Sequence, residues 1–292
     1  MTGLGKYAWS CCAIVVVLMC CGFVLAVPVQ FTGLRQTYSG SFNSVTSSAL
    51  ADMTQDGVVA GAGHFTPLPH TLSDITKDPA GSYYGTIGQD VYRINPTTFQ
   101  FTQLPITGVG NVDTGWDIGC TFDTLRNRLI VATLSGPGYI FAYSPQTQQW
   151  SLLNEFNNED FQSIVYRPGN DTLYAVRNAG GILGPIDSLF KYGPNGQFLG
   201  TVPLQYQIPQ AQGLGDSNYQ LMVTDDPNTM ALLTPPLTDS HDPTHPLRER
   251  LYLINANTGA ITYNGVFPAP EPATGGLIGV VLLLATRRSR SR

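Results

Sequence analysis

The sequence has few charged residues, since Asp, Glu, Lys and Arg together make up 12% of the chain. That share is about half of what globular proteins usually contain. The formal net charge is −5 and the pI is near 5.2, so the chain lacks the basic excess that duplex nucleic acid requires of a partner. We therefore expect no nucleic-acid partner.

Cysteine is scarce, since Cys120 is the only cysteine of the sequence beyond the N-terminal segment. The other four cysteines are Cys11, Cys12, Cys20 and Cys21. If the N-terminal segment is removed, no intramolecular disulfide can form. Cys120 lies between Ile118 and Phe122 in an apolar pattern without a histidine nearby in sequence, which predicts a core cysteine rather than a nucleophile.

Catalytic and metal-binding motifs are also missing. No Gly-x-Ser-x-Gly sequence is present, which excludes the most recognisable serine hydrolase motif. His241 and His245 have the spacing of a helical zinc pair, but two nearby prolines disfavour a helix there. The run 225–228 lacks the spacing of a calcium loop and favours a turn. We predict no catalytic residue, no metal and no cofactor.

The N-terminus has the three parts of a secretory signal. Lys6 supplies the positive region, residues 13–27 are apolar, and small or modest residues precede a cleavage site after Ala26. A retained anchor is the alternative, although the run is shorter than the roughly 20 residues that span a bilayer. We expect residues 1–26 to be a signal peptide that signal peptidase removes.

The C-terminus, residues 269–292, has a second tripartite pattern. Pro270-Glu271-Pro272 precedes an uncharged apolar run over 275–285, and an Arg-rich end follows it. The positive-inside rule keeps this end in the cytoplasm and places the body outside. The pattern resembles the PEP-CTERM sorting signal. The resemblance implies that an exosortase-type membrane protease recognises Pro270, Glu271 and Pro272. It also implies that the apolar run is a short transmembrane helix, which anchors the protein at the inner membrane until this protease acts. An ordinary C-terminal anchor is the alternative.

Between these segments, residues 27–268 contain repeats. Polar or glycine turn positions Asn95, Ser144 and Gly193 recur every 49 residues, each followed by proline and preceded by an alternating apolar strand. Four strands per unit at this period predict an all-β fold, a β-propeller of four-stranded blades. A β-sandwich is the alternative, but its strands would not recur at one long period.

Four repeats are clear over residues 72–267, and the fourth contains an insertion over 228–248. Residues 220–223 are predicted to be the second strand of this fourth repeat, after a turn at 216–218. Residues 28–69, rich in Ser, Thr and Gly, form either a degenerate fifth blade or a strand that closes the ring. We favour five blades.

Propellers usually bind at the mouth of the channel, where loops from several blades meet. Trp116, Asp117, Gln162 and Asp216 flank the candidate inner strands and are predicted to line one mouth, with the 228–248 insertion as a second recognition element. Two functions remain open. One is an exported, non-catalytic surface or matrix protein that binds exopolysaccharide or an envelope protein. The other is an exported glycan lyase or hydrolase whose carboxylates come from separate blades.

Overall fold

A computed structural model of the protein describes residues 29–38, 45–58, 65–88, 90–109, 118–133, 138–156, 161–177, 185–209, 219–241 and 249–266. The regular secondary structure of these residues consists of β-strands, apart from one 3-10 turn at Pro168–Asn170. Among them, no helix has the length and apolar character needed to cross a bilayer. The predicted signal peptide with Ala26, and the predicted tail with Pro270, Glu271 and Pro272, lie outside the described residues.

The strands form five sheets of four, each made from consecutive strands. Blade I holds β1 (Gln30–Tyr38), β2 (Val45–Thr54), β3 (Gly57–Val58) and β4 (Phe65–Pro67). Blade II holds β5 (Asp74–Lys77), β6 (Tyr83–Ile87), β7 (Asp90–Ile94) and β8 (Phe101–Gln103). Blade III holds β9 (Ile118–Asp123), β10 (Arg128–Thr133), β11 (Gly138–Ser144) and β12 (Gln149–Phe156). Blade IV holds β13 (Phe161–Arg167), β14 (Thr172–Arg177), β15 (Ile186–Tyr192) and β16 (Phe198–Ile208). Blade V holds β17 (Gln220–Val223), β18 (Thr229–Leu233), β19 (Arg250–Asn255) and β20 (Ile261–Val266).

The first strand of each blade faces the centre. β1, β5, β9, β13 and β17 contact one another in this order, and β17 contacts β1 again, so the ring is closed. The protein is a five-bladed β-propeller. The preference for five blades is confirmed, and residues 28–69 contribute a blade of their own rather than a closing strand.

The core lies between the blades, with one apolar cluster at each of the five junctions. Strand alternation produces it: Leu129 and Val131 of β10 face blade II, whereas Ile130 and Ala132 face blade IV. All four are fully buried. Burying a large aliphatic side chain contributes about 1.5–3 kcal/mol, so the two-sided burial of middle strands explains why the repeats are so apolar.

Blade I differs from the others in the direction of its inner strand. The Gln30 amide donates to Asp225 Oδ1, and the Leu34 amide donates to Gln220 Oε1, so β1 runs antiparallel to β17. By contrast, Thr121 of β9 contacts Tyr166 of β13, and Gly119 lies against Ser163, which makes these strands parallel.

The reversal follows from the strand count across blade I. β3 and β4 both pair with β2 on the edge away from β1, so the sheet is three strands wide. The inner strands β5, β9, β13 and β17 run in the same direction, and the chain must leave blade I in the orientation that leads into β5. Because neighbouring strands in a blade are antiparallel, a blade that is one strand narrower has its inner strand reversed.

Polar side chains join each inner strand to the next blade, and we call these the five junction side chains. Three of them accept backbone N–H groups across the junction: Asp74 from Cys120 at 2.9 Å, Thr121 from Tyr166 at 2.8 Å and Ser163 from Leu221 at 3.0 Å. At the two junctions of the reversed strand the longer glutamine is used. Gln220 accepts the Leu34 amide at 3.0 Å, and Gln36 donates to the Leu72 carbonyl at 2.8 Å. All five side chains are buried, and a buried polar group without a hydrogen bond destabilises the fold, so each of these bonds is needed at its junction.

One strand assignment from the sequence is wrong. Residues 220–223 were expected to be the second strand of the last repeat, but they form its inner strand β17. The second strand is β18, which lies inside the segment interpreted as an insertion. The expected turn at 225–228 is confirmed, since the Asn228 amide donates to Asp226 Oδ1.

Candidate functional site

Of the residues predicted to line a channel mouth, Trp116, Asp117 and Asp216 lie outside the described residues. Gln162 is half-buried near the start of β13, where the pairing shifts between Phe161 and Ser163. It does not line the cavity described below. The predicted mouth therefore remains a prediction, and the site that the structure describes lies toward the other end of the inner strands.

The central channel contains a cavity of about 540 Å³. It is lined by inner-strand residues of all five blades together with neighbours on β2, β6 and the first turns. The lining consists of Thr32, Gly33, Leu50, Asp52, Asp74, Ile75, Thr76, Lys77, Tyr83, Cys120, Thr121, Phe122, Thr124, Ile164, Val165, Tyr166, Pro168, Gln220, Leu221, Met222 and Val223. This volume lies within the range of small-molecule binding sites.

Four polar side chains of the lining have no hydrogen-bond or ion-pair partner among the described residues: Thr76, Lys77, Tyr83 and Thr124. Lys77 and Tyr83 are cross-strand partners on β5 and β6, and the Lys77 ammonium lies 5.4 Å from the centre of the Tyr83 ring. Thr124 belongs to the first turn of blade III. The four groups are accessible and form a set of three hydroxyls and one cation at the same end of the channel.

Blades IV and V supply an apolar surface to the same cavity. Val165 and Pro168 come from blade IV, and Met222 and Val223 from blade V. Val223 is 36% exposed, which is high for an inner-strand valine. On blade I, Thr32 donates to the Asp52 carboxylate across the β1–β2 pair. The unpaired polar groups of the lining thus come from blades II and III, whereas the polar groups that blades IV and V contribute, Tyr166 and Gln220, are already hydrogen-bonded within the protein.

Deeper in the cavity wall, Asp74 and Cys120 lie together. Burial raises the pKa of Asp74 from 3.8 to about 7, although the backbone amides of Cys120 and Ile75 donate to its two oxygens and oppose the change. Burial, and then the nearby Asp74 charge, raise the pKa of the Cys120 thiol well above its usual value. Cys120 is 3% exposed and its sulfur contacts the Tyr84 carbonyl, which confirms the predicted core cysteine.

Two carboxylates of the described residues line the cavity, Asp52 and Asp74. Both oxygens of Asp74 accept backbone amides, so this side chain joins blades II and III as Thr121 and Ser163 join the following junctions. Within the described part of the chain, no group of three His, Cys, Asp or Glu side chains is placed to hold a metal ion.

The described part of the predicted recognition insertion is anchored to blade V by Asp239. This fully buried carboxylate accepts the Tyr252 hydroxyl at 2.6 Å and the Asn264 amide at 2.8 Å. It also accepts the His241 backbone amide at 2.8 Å. Burial raises the pKa of Asp239, but these hydrogen bonds outweigh burial and hold the pKa below its usual value. His241 stacks on Tyr206 with ring centres 3.8 Å apart. The cluster fixes the segment up to His241 and does not line the cavity.

Comparison with known proteins assigns neither a family nor a function to the chain. No family model and no curated protein matches the chain. Solved structures with a similar fold include a protein of unknown function from Bacteroides caccae, at 13% identity and a TM-score of 0.41, over 82% of this chain and 73% of that one. TolB from Acinetobacter baumannii is 13% identical with a TM-score of 0.46, over 84% of this chain and 54% of TolB. An auxiliary nutrient binding protein from Bacteroides thetaiotaomicron is 13% identical with a TM-score of 0.43, over 84% and 51% of the two chains.

Proposed function

We propose that the protein is an exported, non-catalytic binding protein of the cell surface or extracellular matrix, and that the channel cavity is its binding site. The observation that carries the proposal is the set of Thr76, Lys77, Tyr83 and Thr124, which line the cavity and whose polar groups have no hydrogen-bond or ion-pair partner among the described residues. Polar groups that converge on a cavity and are not used by the fold are available to a ligand. A partly apolar wall opposite them gives the ligand a second, less polar surface.

Delivery to the exterior follows from the two terminal segments. Residues 1–26 would be removed by signal peptidase, and Pro270, Glu271 and Pro272 would be recognised by an exosortase-type protease. The chain would be anchored at the inner membrane only until this processing. The ligand would then be an exopolysaccharide or an envelope protein.

An exported glycan lyase or hydrolase is the second candidate. It is favoured by one observation: Asp52 and Asp74 come from separate blades, line the same cavity, and Asp74 has a pKa raised to about 7. Two carboxyl groups on one cavity, one of them with a raised pKa, are typical of glycosidases. The binding function is preferred because both Asp74 oxygens already accept backbone amides.

The test uses the protein purified from the exported fraction of cells that express the full chain. Its intact mass should correspond to loss of residues 1–26 and of the sequence beyond the sorting motif. Arrays of oligosaccharides and fractionated envelope components are then probed with it. We expect a ligand that is recovered intact, and about tenfold weaker binding by the double variant Thr76→Val, Thr124→Val, because each lost hydrogen bond costs about 0.5–1.5 kcal/mol.

The matched control is Thr102→Val, which changes an exposed threonine on β8 of blade II outside the cavity. Equal binding by the wild-type protein and the double variant would show that the cavity is not the site. Conversion of the ligand to product, lost in Asp74→Asn, would replace the binding function with the enzymatic one.

A further inference from the structure

Among the described residues, Lys77 is the only basic residue that lines the cavity. Arg126 and Arg128, on the neighbouring blade, are both paired with Asp123, and Arg126 also pairs with Asp171. Lys77 has no carboxylate partner among the described residues; its contact is with the Tyr83 ring. In a chain of net charge −5, an ammonium of this kind at the channel is a local site for an anion.

The surroundings of Lys77 restrict what the anion can be. Asp52 and Asp74 line the same cavity, and the pKa of Asp74 is about 7, so a ligand with several negative charges would meet repulsion from Asp52 and from Asp74 wherever it is ionised. A single cation also suits a single carboxylate better than a phosphate, which proteins usually hold with arginine forks or several backbone amides. The structure therefore favours a ligand that carries one carboxylate per bound unit.

The remaining groups indicate that the rest of the ligand is rich in hydroxyls. Thr76, Tyr83 and Thr124 can each donate and accept a hydrogen bond, and Asp52 can accept one from a ligand hydroxyl. The apolar surface of Pro168 and Val223 faces the cavity from the other side. A sugar ring has this combination, with hydroxyls at its edge and C–H groups on its face. A volume of about 540 Å³ also exceeds what a small organic acid would fill.

We propose that the cavity binds a uronate unit of an acidic oligosaccharide, with its carboxylate on the Lys77 ammonium and its ring hydroxyls on Thr76, Tyr83 and Thr124. Asp52 accepts a hydroxyl on the far side of the ring from the carboxylate. This proposal rests on the proposed function, since it names the ligand class of the same cavity. Because Lys77 supplies a charged hydrogen bond, its loss should weaken binding by about ten- to a hundredfold.

The experiment measures the affinity of the exported protein for short galacturonate, glucuronate, mannuronate and guluronate oligomers by calorimetry. Each acid is compared with its methyl ester, which keeps the ring hydroxyls and removes the charge. At least one acid should bind about tenfold more tightly than its ester. Added salt should weaken the binding of the acid and leave the binding of the ester unchanged. Lys77→Gln should reduce the affinity for the acid to that for the ester, and Lys77→Arg should retain most of it.

Lys191→Gln is the matched control, since Lys191 lies on β15 and outside the cavity lining. Equal affinity for acid and ester, or acid binding that Lys77→Gln leaves intact, would overturn the uronate assignment. Binding of a neutral glycan or an envelope protein, when none of the four acids binds, would also overturn the uronate assignment. The proposed binding function would still hold in that case. Failure of every ligand in both screens would overturn the proposed function itself.

Discussion

Asp74 is the ionisable member of the five junction side chains, since Thr121, Ser163, Gln220 and Gln36 are neutral. All five form a hydrogen bond across a blade junction, so a neutral side chain is sufficient for this task. A buried carboxyl instead makes the junction between blades II and III sensitive to pH. The cause is burial, which disfavours the charged form more than the two backbone amides favour it.

The pH dependence of stability should reveal this group. The pKa of Asp74 is about 7 in the folded protein and near 3.8 when unfolded, so between these values the folded state holds the extra proton. The free energy of unfolding should therefore fall as pH rises through this window, by about 2–3 kcal/mol between pH 5 and 8. In Asp74→Asn the decrease that Asp74 causes should vanish. Urea unfolding of both proteins at pH 5 and at pH 8 would measure this difference.

Asp56→Asn provides the comparison, because Asp56 is an exposed carboxylate in the β2–β3 turn. It should leave the pH dependence of the wild-type protein in place. A decrease in Asp74→Asn equal to that of the wild type would mean that Asp74 does not titrate in this range.

The turn between the third and fourth strands is the element that repeats most clearly. In blades II and V, Asn95 and Asn255 use their side-chain oxygens to accept two backbone amides of the turn. The residue that ends the turn has positive φ, namely Phe99, Gln148, Gly196 and Gly259 in blades II to V. Phe99 and Gln148 show that this position does not require glycine for its backbone conformation alone.

Gly259 is needed for a different reason. A Cβ atom at this position would lie 1.8 Å from the Pro203 carbonyl oxygen of blade IV. The turn is held there because the Gln205 amide donates to the Gly259 carbonyl at 3.0 Å. Gly259→Ala should therefore force blades IV and V apart and lower the free energy of unfolding by about 3 kcal/mol or more, as measured in urea.

Gly108→Ala separates backbone strain from steric overlap. Gly108 has φ of +79°, close to the +72° of Gly259, but no atom lies within 4 Å of its Cβ position. We expect it to cost only about 1 kcal/mol, the strain of the positive φ. Equal losses in the two variants would show that Pro203 moves aside without cost.

These elements also show what the sequence can reveal. The 49-residue spacing of Asn95, Ser144 and Gly193 was enough to predict the propeller and the third and fourth strands of its blades, because a turn is determined by the few residues that form it. The direction of β1 was not predictable, since an alternating strand reads the same both ways. Nor was the assignment of β17, because a continuous apolar run fits an inner strand and a second strand equally well.

The cavity residues were missed for a related reason. Lys77, Tyr83 and Thr124 lie at or just beyond the ends of strands, where polar residues usually mark turns. Their meeting depends on the closure of the ring, which brings the ends of inner strands from different blades around one channel. A lysine at the end of an inner strand, in a chain with few charges, is the signal that could have identified the site.

At the scale of the whole molecule, the described strands close the ring without a strand shared between blades. Each sheet contains consecutive strands only, so blades V and I are joined by their facing side chains and by the hydrogen bond from the Asp225 amide to the Gln30 carbonyl. One of these contacts is the ion pair between Arg35 of β1 and Glu249, whose side chains are 6% and 13% exposed. Burial raises the pKa of Glu249, and the Arg35 charge opposes this change.

Breaking this pair should weaken closure of the ring. In Glu249→Gln the buried Arg35 charge loses its counter-charge, and such a loss typically costs about 3–5 kcal/mol. We expect a lower free energy of unfolding in urea. Hydrogen exchange should also accelerate first in β1 and β17, on either side of the closing junction, and later in β9 and β13, because the ring opens at its weakened junction.

Asp171→Asn breaks another inter-blade ion pair, between Arg126 of blade III and Asp171 of blade IV, in which the side chains are 35% and 40% exposed. Because solvent screens this pair, its loss should reduce stability much less than the loss of Glu249 and should not change the order of exchange. If the two variants had equal effects, or if exchange in Glu249→Gln accelerated uniformly around the ring, closure would depend on the apolar cluster of Phe31, Met53 and Met222 rather than on the ion pair. The result therefore decides whether an electrostatic contact or hydrophobic packing holds the first blade against the last.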